Sequence, residues 1–445
     1  MSPPQRSRSK LRGRSKNIMG MHKLKPIPME RVMLVGLAHG SQTVWDVEES
    51  LKELDELARS AGAHVSGVTH QKLDEPTAAY YIGKGKAEEL AKRCKAEKVD
   101  MVIFDDDLNP AQGRNLSEIF KVKVIDRTEL ILDIFAQRAR TKEGRIQVEL
   151  AQLQYLLPRL KRMWLHLSRQ AGGIGGRGPG ETQLEVDRRR IQEKISRLKQ
   201  ELKGVRATRA TQRHARERNG IPVVSMVGYT NAGKSTLMNA MTGAGVLAVD
   251  QLFATLDPTT RQFILPNKLP ILVSDTVGFI RKLPTHLVEA FKATLEEVIH
   301  ADLLLHVIDV SHEHFEQHME AVDTILQQIG AWGKPTILVF NKIDLLGNPH
   351  RVRQLVEHYP NSAAISAKNH TGLDALAEEI MRQFADRSQK FRLKIPIGDA
   401  HAIAEVRSKL PVLHERYTGK NAFIEAIIPE TLFHRFSGFV VSESD

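Results

Sequence analysis

A chain of 445 residues, 41% of them hydrophobic, is long enough for two to four domains with their own cores. Its net charge of +11 favours a polyanionic partner, either nucleic acid or an anionic membrane surface. No apolar run approaches the ~18 residues that cross a bilayer, and the N-terminus lacks the apolar segment of a signal peptide. The single cysteine, Cys94, cannot form an internal disulfide, so we expect a cytoplasmic protein without membrane insertion.

The first part of the chain is basic and then alternates between strand and helix patterns. Residues 1–25 contain no acidic side chain, which predicts a disordered basic arm along phosphates, although a solubilising tail would look the same. In residues 26–142 we expect a small α/β domain with a parallel sheet, because β-type runs alternate with helical patterns. The predicted strands are 32–36, 101–104 and 122–125, and the predicted helices are 45–60, 115–120 and 128–140. The run Gly83-Lys84-Gly85-Lys86 lacks the spacing of a phosphate loop. A second nucleotide or RNA contact at this run is the less favoured interpretation.

Residues 143–216 carry a heptad-like apolar pattern that glycines interrupt. Its positions are Ile146, Leu150, Leu153, Leu157, Leu160, Trp164 and Leu167, then Leu184, Ile191, Ile195, Leu198, Leu202 and Val205. Two such arms predict an antiparallel helical hairpin, each arm roughly 35 Å long at ~1.5 Å per residue. The tip, 168–180, is rich in glycine and arginine, which fits close contact with RNA; a plain flexible hinge is the alternative. We expect a linker at 208–219.

The central motif is a G-x-x-x-x-G-K-S loop that follows a strand-like run at 223–227. Such a loop binds phosphates because its backbone N–H groups turn inward and the following helix adds positive partial charge. We predict that Lys234 reaches the β and γ phosphates and that the Ser235 hydroxyl binds Mg²⁺. The nucleotide-binding residues predicted here are Gly228, Tyr229, Thr230, Asn231, Ala232, Gly233, Lys234, Ser235 and Thr236.

Two downstream loops have the features of nucleotide-sensing elements. Asp275 follows the apolar run 269–273 and can hold Mg²⁺ through water, while Gly278 can offer its N–H to the γ-phosphate. In the loop 253–261, Thr255 is the predicted second protein ligand of Mg²⁺. The nucleotide-binding residues predicted in these loops are Phe253, Ala254, Thr255, Leu256, Asp257, Asp275, Thr276, Val277 and Gly278. We assign catalytic roles to Lys234, Thr255 and Gly278.

Two further loops after strand-like runs predict the choice of base. The carboxylate of Asp344 can accept two hydrogen bonds from guanine, and adenine offers no such pair. The backbone after the run 363–365 can face the guanine carbonyl. The residues predicted in these loops are Asn341, Lys342, Ile343 and Asp344, and Ser366, Ala367 and Lys368. In this order, the motifs predict a P-loop GTPase domain at 217–388.

The combination of motifs resembles the HflX family of GTPases over essentially the whole chain. The phosphate loop, the run from Phe253 to Asp257 and the run from Asp275 to Phe279 carry the resemblance, together with the upstream glycine-rich run from Gly172 to Glu181. The resemblance implies a cytoplasmic GTPase that binds the large ribosomal subunit and rRNA, places the hairpin tip at the peptidyl-transferase region and splits ribosomes under stress. We expect a monomer. Two alternatives are an ATP-dependent rRNA-remodelling enzyme and a GTP-regulated protein-binding module.

The site lacks a common catalytic residue. Many GTPases have a glutamine where this chain has Phe279, so we expect slow hydrolysis unless the ribosome completes the site. In similar GTPases an asparagine at the position of Asn231 binds K⁺, which makes K⁺ a candidate second cofactor besides Mg²⁺. The group His312, His314 and His318 does not match H-E-x-x-H, so we interpret it as a solvated helix face.

The expected fold class is α/β. A P-loop GTPase domain with a mixed, mostly parallel sheet is preceded by a small α/β domain and a helical hairpin. Residues 389–445 predict a small C-terminal α/β domain, with a helix at 400–409 and strands at 391–395, 422–428 and 439–441.

Overall fold

The structure is a computed structural model, and it describes residues 29–163, 179–219, 221–243, 252–253, 255–282, 284, 287, 295–385 and 388–441. The predicted basic arm, the centre of the predicted tip and Ala254 lie outside the described residues. Among the described residues, no helix combines the length and the apolar character needed to cross a membrane.

The N-terminal part is a four-stranded parallel sheet with helices packed on it. Its strands are β1 (Arg31–Ala38), β2 (His64–Lys72), β3 (Met101–Phe104) and β4 (Lys123–Asp126), in the order β2-β1-β3-β4. Its helices are α1 (Val44–Ser60), α2 (Lys84–Glu97), α3 (Pro110–Phe120) and α4 (Arg127–Arg138). The expected parallel sheet is confirmed, but the prediction omitted β2 and α2. β2 is an edge strand whose side chains are mostly half-buried, so its sequence lacks the apolar alternation that indicates a strand.

A long helical hairpin follows directly. Its arms are α5 (Lys142–Met163) and α6 (Pro179–Asn219), which pack through Ile146 and Leu150 on the first arm and Ile195, Leu198 and Leu202 on the second. The expected hairpin is present. The expected linker at 208–219 is wrong, because α6 continues through it. The opposite face of α5 is also buried: Val148, Ala151 and Tyr155 join the core of the N-terminal sheet and α4.

The next part carries a six-stranded sheet in the order β10-β9-β8-β5-β7-β6. The strands are β5 (Val223–Gly228), β6 (Thr259–Ile264), β7 (Pro270–Asp275), β8 (Leu303–Asp309), β9 (Thr336–Asn341) and β10 (Ser362–Ala364). The helices are α7 (Lys234–Thr242), α8 (Glu296–His300), α9 (Phe315–Ile329), α10 (Pro349–His358) and α11 (Leu373–Ala385). Neighbouring strands are parallel except β6, which is antiparallel to β7. The predicted loop 253–261 is therefore shorter than expected, because β6 begins at Thr259.

The C-terminal part is a four-stranded antiparallel sheet with two helices. Its elements are β11 (Ser388–Pro396), α12 (Ala400–Lys409), β12 (Val412–Thr418), β13 (Asn421–Pro429), α13 (Glu430–Phe436) and β14 (Val440–Val441). The strand order is β12-β13-β11-β14, the arrangement of a split βαβ fold. The small α/β domain was expected, but β12 and α13 were not.

Candidate functional site

The phosphate loop lies between β5 and α7 in a conformation that only glycine tolerates at two positions. Gly228 has φ +150°, and an added Cβ would lie 2.2 Å from the carbonyl oxygen of Val307. Gly233 has φ +95°, and its Cβ would lie 2.2 Å from the side-chain nitrogen of Asn341. Both glycines are therefore required by their backbone conformation and by the close approach of neighbouring strands.

Lys234 is buried at the first position of α7 and spans the loop. Its Nζ donates to the carbonyl oxygens of Gly228 at 3.0 Å and Tyr229 at 2.7 Å. Burial lowers its pKa to about 8, an effect that the carboxylate of Asp275 partly offsets. A cation with few solvent contacts above this loop is suited to pair with phosphate oxygens.

Three oxygen-bearing side chains from three separate elements converge beside the loop. Ser235 Oγ lies 2.8 Å from Thr255 Oγ1 and donates to Asp275 Oδ2 at 2.7 Å, while Thr255 Oγ1 donates to the same oxygen at 3.2 Å. The other carboxylate oxygen of Asp275 is buried, and no hydrogen-bond partner for it is found in the described part of the chain. Burial raises the pKa of Asp275, although Lys234 and the two hydroxyls oppose this shift. Hard oxygen donors with an unsatisfied carboxylate oxygen fit a Mg²⁺ ion bound through hydroxyls and water.

The loop after β7, residues 276–282, is called switch II below. It is bonded to the phosphate loop: Thr230 N donates to Phe279 O at 2.7 Å, and Phe279 N donates to Gly228 O at 3.1 Å. A Cβ on Gly278 would lie 2.9 Å from Thr230 Cα, so the two loops touch at that glycine. The ring of Phe279 is 2% exposed and offers no group that could orient water.

The expected base-recognition loops meet around Asn341. Its Nδ2 donates to Ala232 O at 2.8 Å, and its Oδ1 accepts from Ala367 N at 3.0 Å. Asp344 is oriented by Ser366, whose hydroxyl donates to Oδ1 at 2.6 Å. One amide group thus joins the phosphate loop to both loops that would contact guanine.

Several predicted nucleotide-binding residues direct their side chains elsewhere. The segment 252–258 is called switch I below, and its Phe253 packs edge-on against Phe135 of α4 at 4.7 Å. The carboxylate of Asp257 accepts from the backbone nitrogens of Arg140 at 2.9 Å and Thr141 at 2.8 Å, and from the Thr141 hydroxyl. Tyr229 donates its hydroxyl to Glu53 of α1 and accepts from Arg281 N at 2.8 Å. These side chains attach the site to the N-terminal sheet and the hairpin.

The remaining predicted residues lie in the same loops. Thr276 is buried and donates to Met226 O at 2.6 Å, and Lys342 forms an ion pair with Asp309 at 2.6 Å. Leu256 and Val277 are buried in the core shared with the N-terminal part. The others, Asn231, Thr236, Ile343 and Lys368, are half-buried or exposed.

Sequence reasoning missed a buried ionic network between switch II and the N-terminal sheet. Arg127, 2% exposed, pairs with Glu53 and with Asp105 at 2.7 Å, and Lys282 of switch II bonds Asp106 at 2.7 Å. Burial opposes ionisation of Asp105, but Arg127 and Lys282 outweigh it and hold its pKa below the ordinary value. Three consecutive acids, Asp105 to Asp107, directly after a buried strand were the available signal.

The interpretation of the histidines as a solvated face is wrong in part. His318 stacks on the ring of Tyr229 at 3.9 Å, and His314 packs edge-on against Trp45 of α1 at 4.6 Å. Burial lowers the pKa of His318 to about 4, with His312 and Arg281 acting in the same direction. No group of three or more ligating side chains that could hold a metal ion occurs in the described ranges. His314 thus contacts α1, and His318 contacts the phosphate loop.

Comparisons with known proteins agree with this architecture. Three family models match the chain: GTP-binding GTPase N-terminal at 48–136, GTP-binding GTPase Middle Region at 138–216 and 50S ribosome-binding GTPase at 223–342. A GTPase HflX of Caldanaerobacter subterraneus subsp. tengcongensis is 46% identical, with 93% of this chain and 94% of that protein covered. The GTPase HflX of Escherichia coli K12 is 48% identical, with 78% of this chain and 82% of that protein covered.

A solved GTP-binding protein from the hyperthermophilic archaeon Sulfolobus solfataricus, in complex with GDP, is 26% identical with a TM-score of 0.43, covering 80% of this chain and 98% of that one. The curated relatives and family models span most of the sequence. The chain therefore belongs to the GTPase HflX family and hydrolyses GTP.

Proposed function

We propose that this GTPase binds the large ribosomal subunit and splits or rescues ribosomes, especially under stress, with the helical hairpin as the element that reaches rRNA. The observation that carries the proposal is the attachment of switch I to the root of the hairpin. Asp257 bonds the backbone at Arg140 and Thr141, where α5 begins, and lies two residues from Thr255. A change at the γ-phosphate that moves Thr255 therefore alters the support of α5.

Nucleotide binding and hydrolysis follow from the residues around the phosphate loop. Lys234 would neutralise charge on the β and γ phosphates, and Gly278 would offer its N–H to the γ-phosphate. Ser235, Thr255 and Asp275 would hold Mg²⁺, directly or through water. When bound, Mg²⁺ would supply positive charge that offsets the negative charge developing on the phosphates. The guanine base would lie against Asp344, oriented by Ser366.

The ring of Phe279 is buried and apolar, so the residue at this position cannot orient an attacking water. We therefore infer that the free protein turns over slowly and that the ribosome completes the site. Asn231 adopts φ +60° in the phosphate loop, a fixed position from which its side chain could hold a monovalent cation beside the phosphates. K⁺ should then raise the turnover rate above that in Na⁺; equal rates in the two salts would remove this role.

The decisive test is the GTPase rate with and without purified large ribosomal subunits. We expect a rise of at least about tenfold, because completing a catalytic site with one positioned group contributes ~10²–10⁴-fold in many enzymes. The same preparation should dissociate 70S particles in a GTP-dependent manner, followed by light scattering. Equal rates in both conditions, or no co-sedimentation with ribosomes in either nucleotide state, would overturn the proposal and favour a protein-binding module.

A second test concerns the predicted tip, which lies mostly outside the described residues. Shortening the loop 172–180 should leave GTP binding intact and impair splitting, because only the reach of the hairpin changes. If the shortened variant splits ribosomes at the original rate, the hairpin tip is not needed for the proposed function.

A further inference from the structure

The C-terminal sheet has one covered face and one open face. Helices α12 and α13 pack on the face that contains Leu393, Ile395 and Ile424. Because side chains alternate along a strand, their neighbours point to the other side. That open face consists of Lys390, Arg392 and Lys394 on β11, Phe423, Glu425 and Ile427 on β13, and His414 and Arg416 on β12.

An aromatic ring at the centre of the open face is surrounded by cations. Phe423 lies directly opposite Lys394 on one neighbouring strand and Arg416 on the other. The guanidinium of Arg392 lies 5.2 Å from the centre of its ring. All three cations are exposed, and no ion pair of theirs is found among the described side chains. The face is therefore electropositive, with a half-buried ring on a central strand.

The acid on this face is already neutralised. Glu425 pairs with Lys390 at 3.0 Å, and Lys390 with Arg392 and His414 lowers its pKa. Two other acids of the domain also face cations: Glu405 bonds Lys409 at 2.8 Å, and Glu415 bonds Arg407 at 2.8 Å. A polyanion approaching Phe423 would meet the three cations, while Glu425 on the same face is already paired with Lys390.

We propose that this open face binds single-stranded RNA, with one base stacked on Phe423 and the flanking phosphates paired with Arg392, Lys394 and Arg416. Exposed bases stack on aromatic side chains of an open sheet, and cations beside the ring follow the backbone. A duplex keeps its bases inside the helix and would leave the ring unused. An acidic protein would use the cations and not the ring, so it fits less of the surface. The site is separate from the GTP site and from the hairpin, and does not depend on the proposed function.

The test must resolve the site, because the full chain carries other basic segments. The full-length protein is crosslinked by ultraviolet light to an eight-nucleotide oligouridine containing 4-thiouridine, digested and mapped by mass spectrometry. We expect crosslinked peptides from β11 and β13. Phe423→Leu should lower their yield about tenfold, since stacking of a base on an aromatic ring is lost, and Phe423→Tyr should retain it.

A matched pair of variants separates local from general charge effects. Arg392→Ala with Lys394→Ala should lower crosslinking to β13 severalfold, whereas Lys92→Ala with Lys95→Ala, two exposed lysines on α2, should leave it unchanged. The GTPase rate of Phe423→Leu should equal that of the original protein, which establishes that the variant is folded. A duplex RNA with the same number of phosphates should compete weakly.

Three outcomes would overturn the proposal: crosslinks confined to residues outside 388–441, an unchanged yield in Phe423→Leu, or equal competition by duplex RNA or a polyglutamate peptide. The last result would mean that the face attracts any polyanion.

Discussion

The carboxylate of Asp344, which we propose contacts guanine, is oriented by a single hydroxyl, that of Ser366. Ser366→Ala removes the 2.6 Å hydrogen bond to Asp344, and hydrogen bonds to charged groups contribute about 1.5–3 kcal/mol. We expect affinity for GDP and GTP to fall about tenfold or more, with weak ATP binding unchanged. Titration with a fluorescent GDP analogue measures this. Ser362→Ala is the control, because that hydroxyl bonds the backbone of Tyr359 instead; an equal loss in both variants would contradict the role of Ser366.

A second single-residue effect concerns pH. His306 on β8 is 2% exposed, and burial lowers its pKa to about 4, with Lys234 acting in the same direction. Below about pH 6.5 the unfolded chain binds a proton on this histidine that the folded protein does not bind until about pH 4. The free energy of unfolding should therefore fall as the pH drops from 6.5 towards 4.

Urea midpoints at pH 7.5 and 5.5 test this dependence. His306→Gln should show a smaller decrease between the two pH values than the original protein. The same decrease in both would assign the pH dependence to other groups, among them His318, whose pKa is also lowered.

At the scale of elements, Asp257 of switch I stabilises the first turn of α5 from outside the helix. Thr141 caps the first turn internally, since Gly144 N donates to its hydroxyl at 3.0 Å, and Asp257 holds Thr141 in turn. Asp257→Ala should accelerate amide exchange at 140–145, because the loss of a cap costs about 1 kcal/mol. Hydrogen-exchange mass spectrometry measures this, and Asp257→Asn, which keeps an acceptor oxygen, should restore part of the protection.

A glycine in the same turn allows an independent test. An added Cβ on Gly144 would lie 2.4 Å from Asp257 Oδ1, so Gly144→Ala should displace the carboxylate. Alanine normally stabilises a helix by about 1 kcal/mol relative to glycine. We expect faster exchange at 140–143 despite that preference, and slower exchange would show that the contact contributes little.

Helices and strands whose own residues show a cap or an apolar pattern were predicted from the sequence. Those that are stabilised by pairing with distant segments were not. The helix at 400–409 coincides with α12, because Asp399 caps it and its apolar residues have helical spacing. β12 was missed because its exposed, polar residues are held by pairing with β13, which no local pattern indicates. The phosphate loop could be recognised because glycines at this fixed spacing have few other uses. The hydrogen bonds of Asp257 could not be predicted, because its partners are more than a hundred residues away in the chain.

At the scale of the whole molecule, the N-terminal sheet and the GTPase sheet are joined through charged groups with little access to water. Arg127→Leu would leave Asp105 buried with fewer partners, and removing one partner of a buried pair costs about 3–5 kcal/mol. We expect a clear decrease in thermal stability. Lys52→Ala, which removes an exposed cation from α1, is the control and should have no measurable effect. Equal effects would mean that the network is dispensable.

The course of α6 has a mechanical consequence. The helix has 41 residues, about 60 Å at ~1.5 Å per residue, and ends at Asn219, close before β5 begins at Val223. The first arm is held at its start by switch I, and the second leads almost directly into the strand that carries the phosphate loop. Because the hairpin is held at the start of α5 and at the end of α6, it can tilt but cannot rotate freely. A displacement of switch I or of β5 would therefore tilt the hairpin, and the resulting movement would increase with distance along its arms.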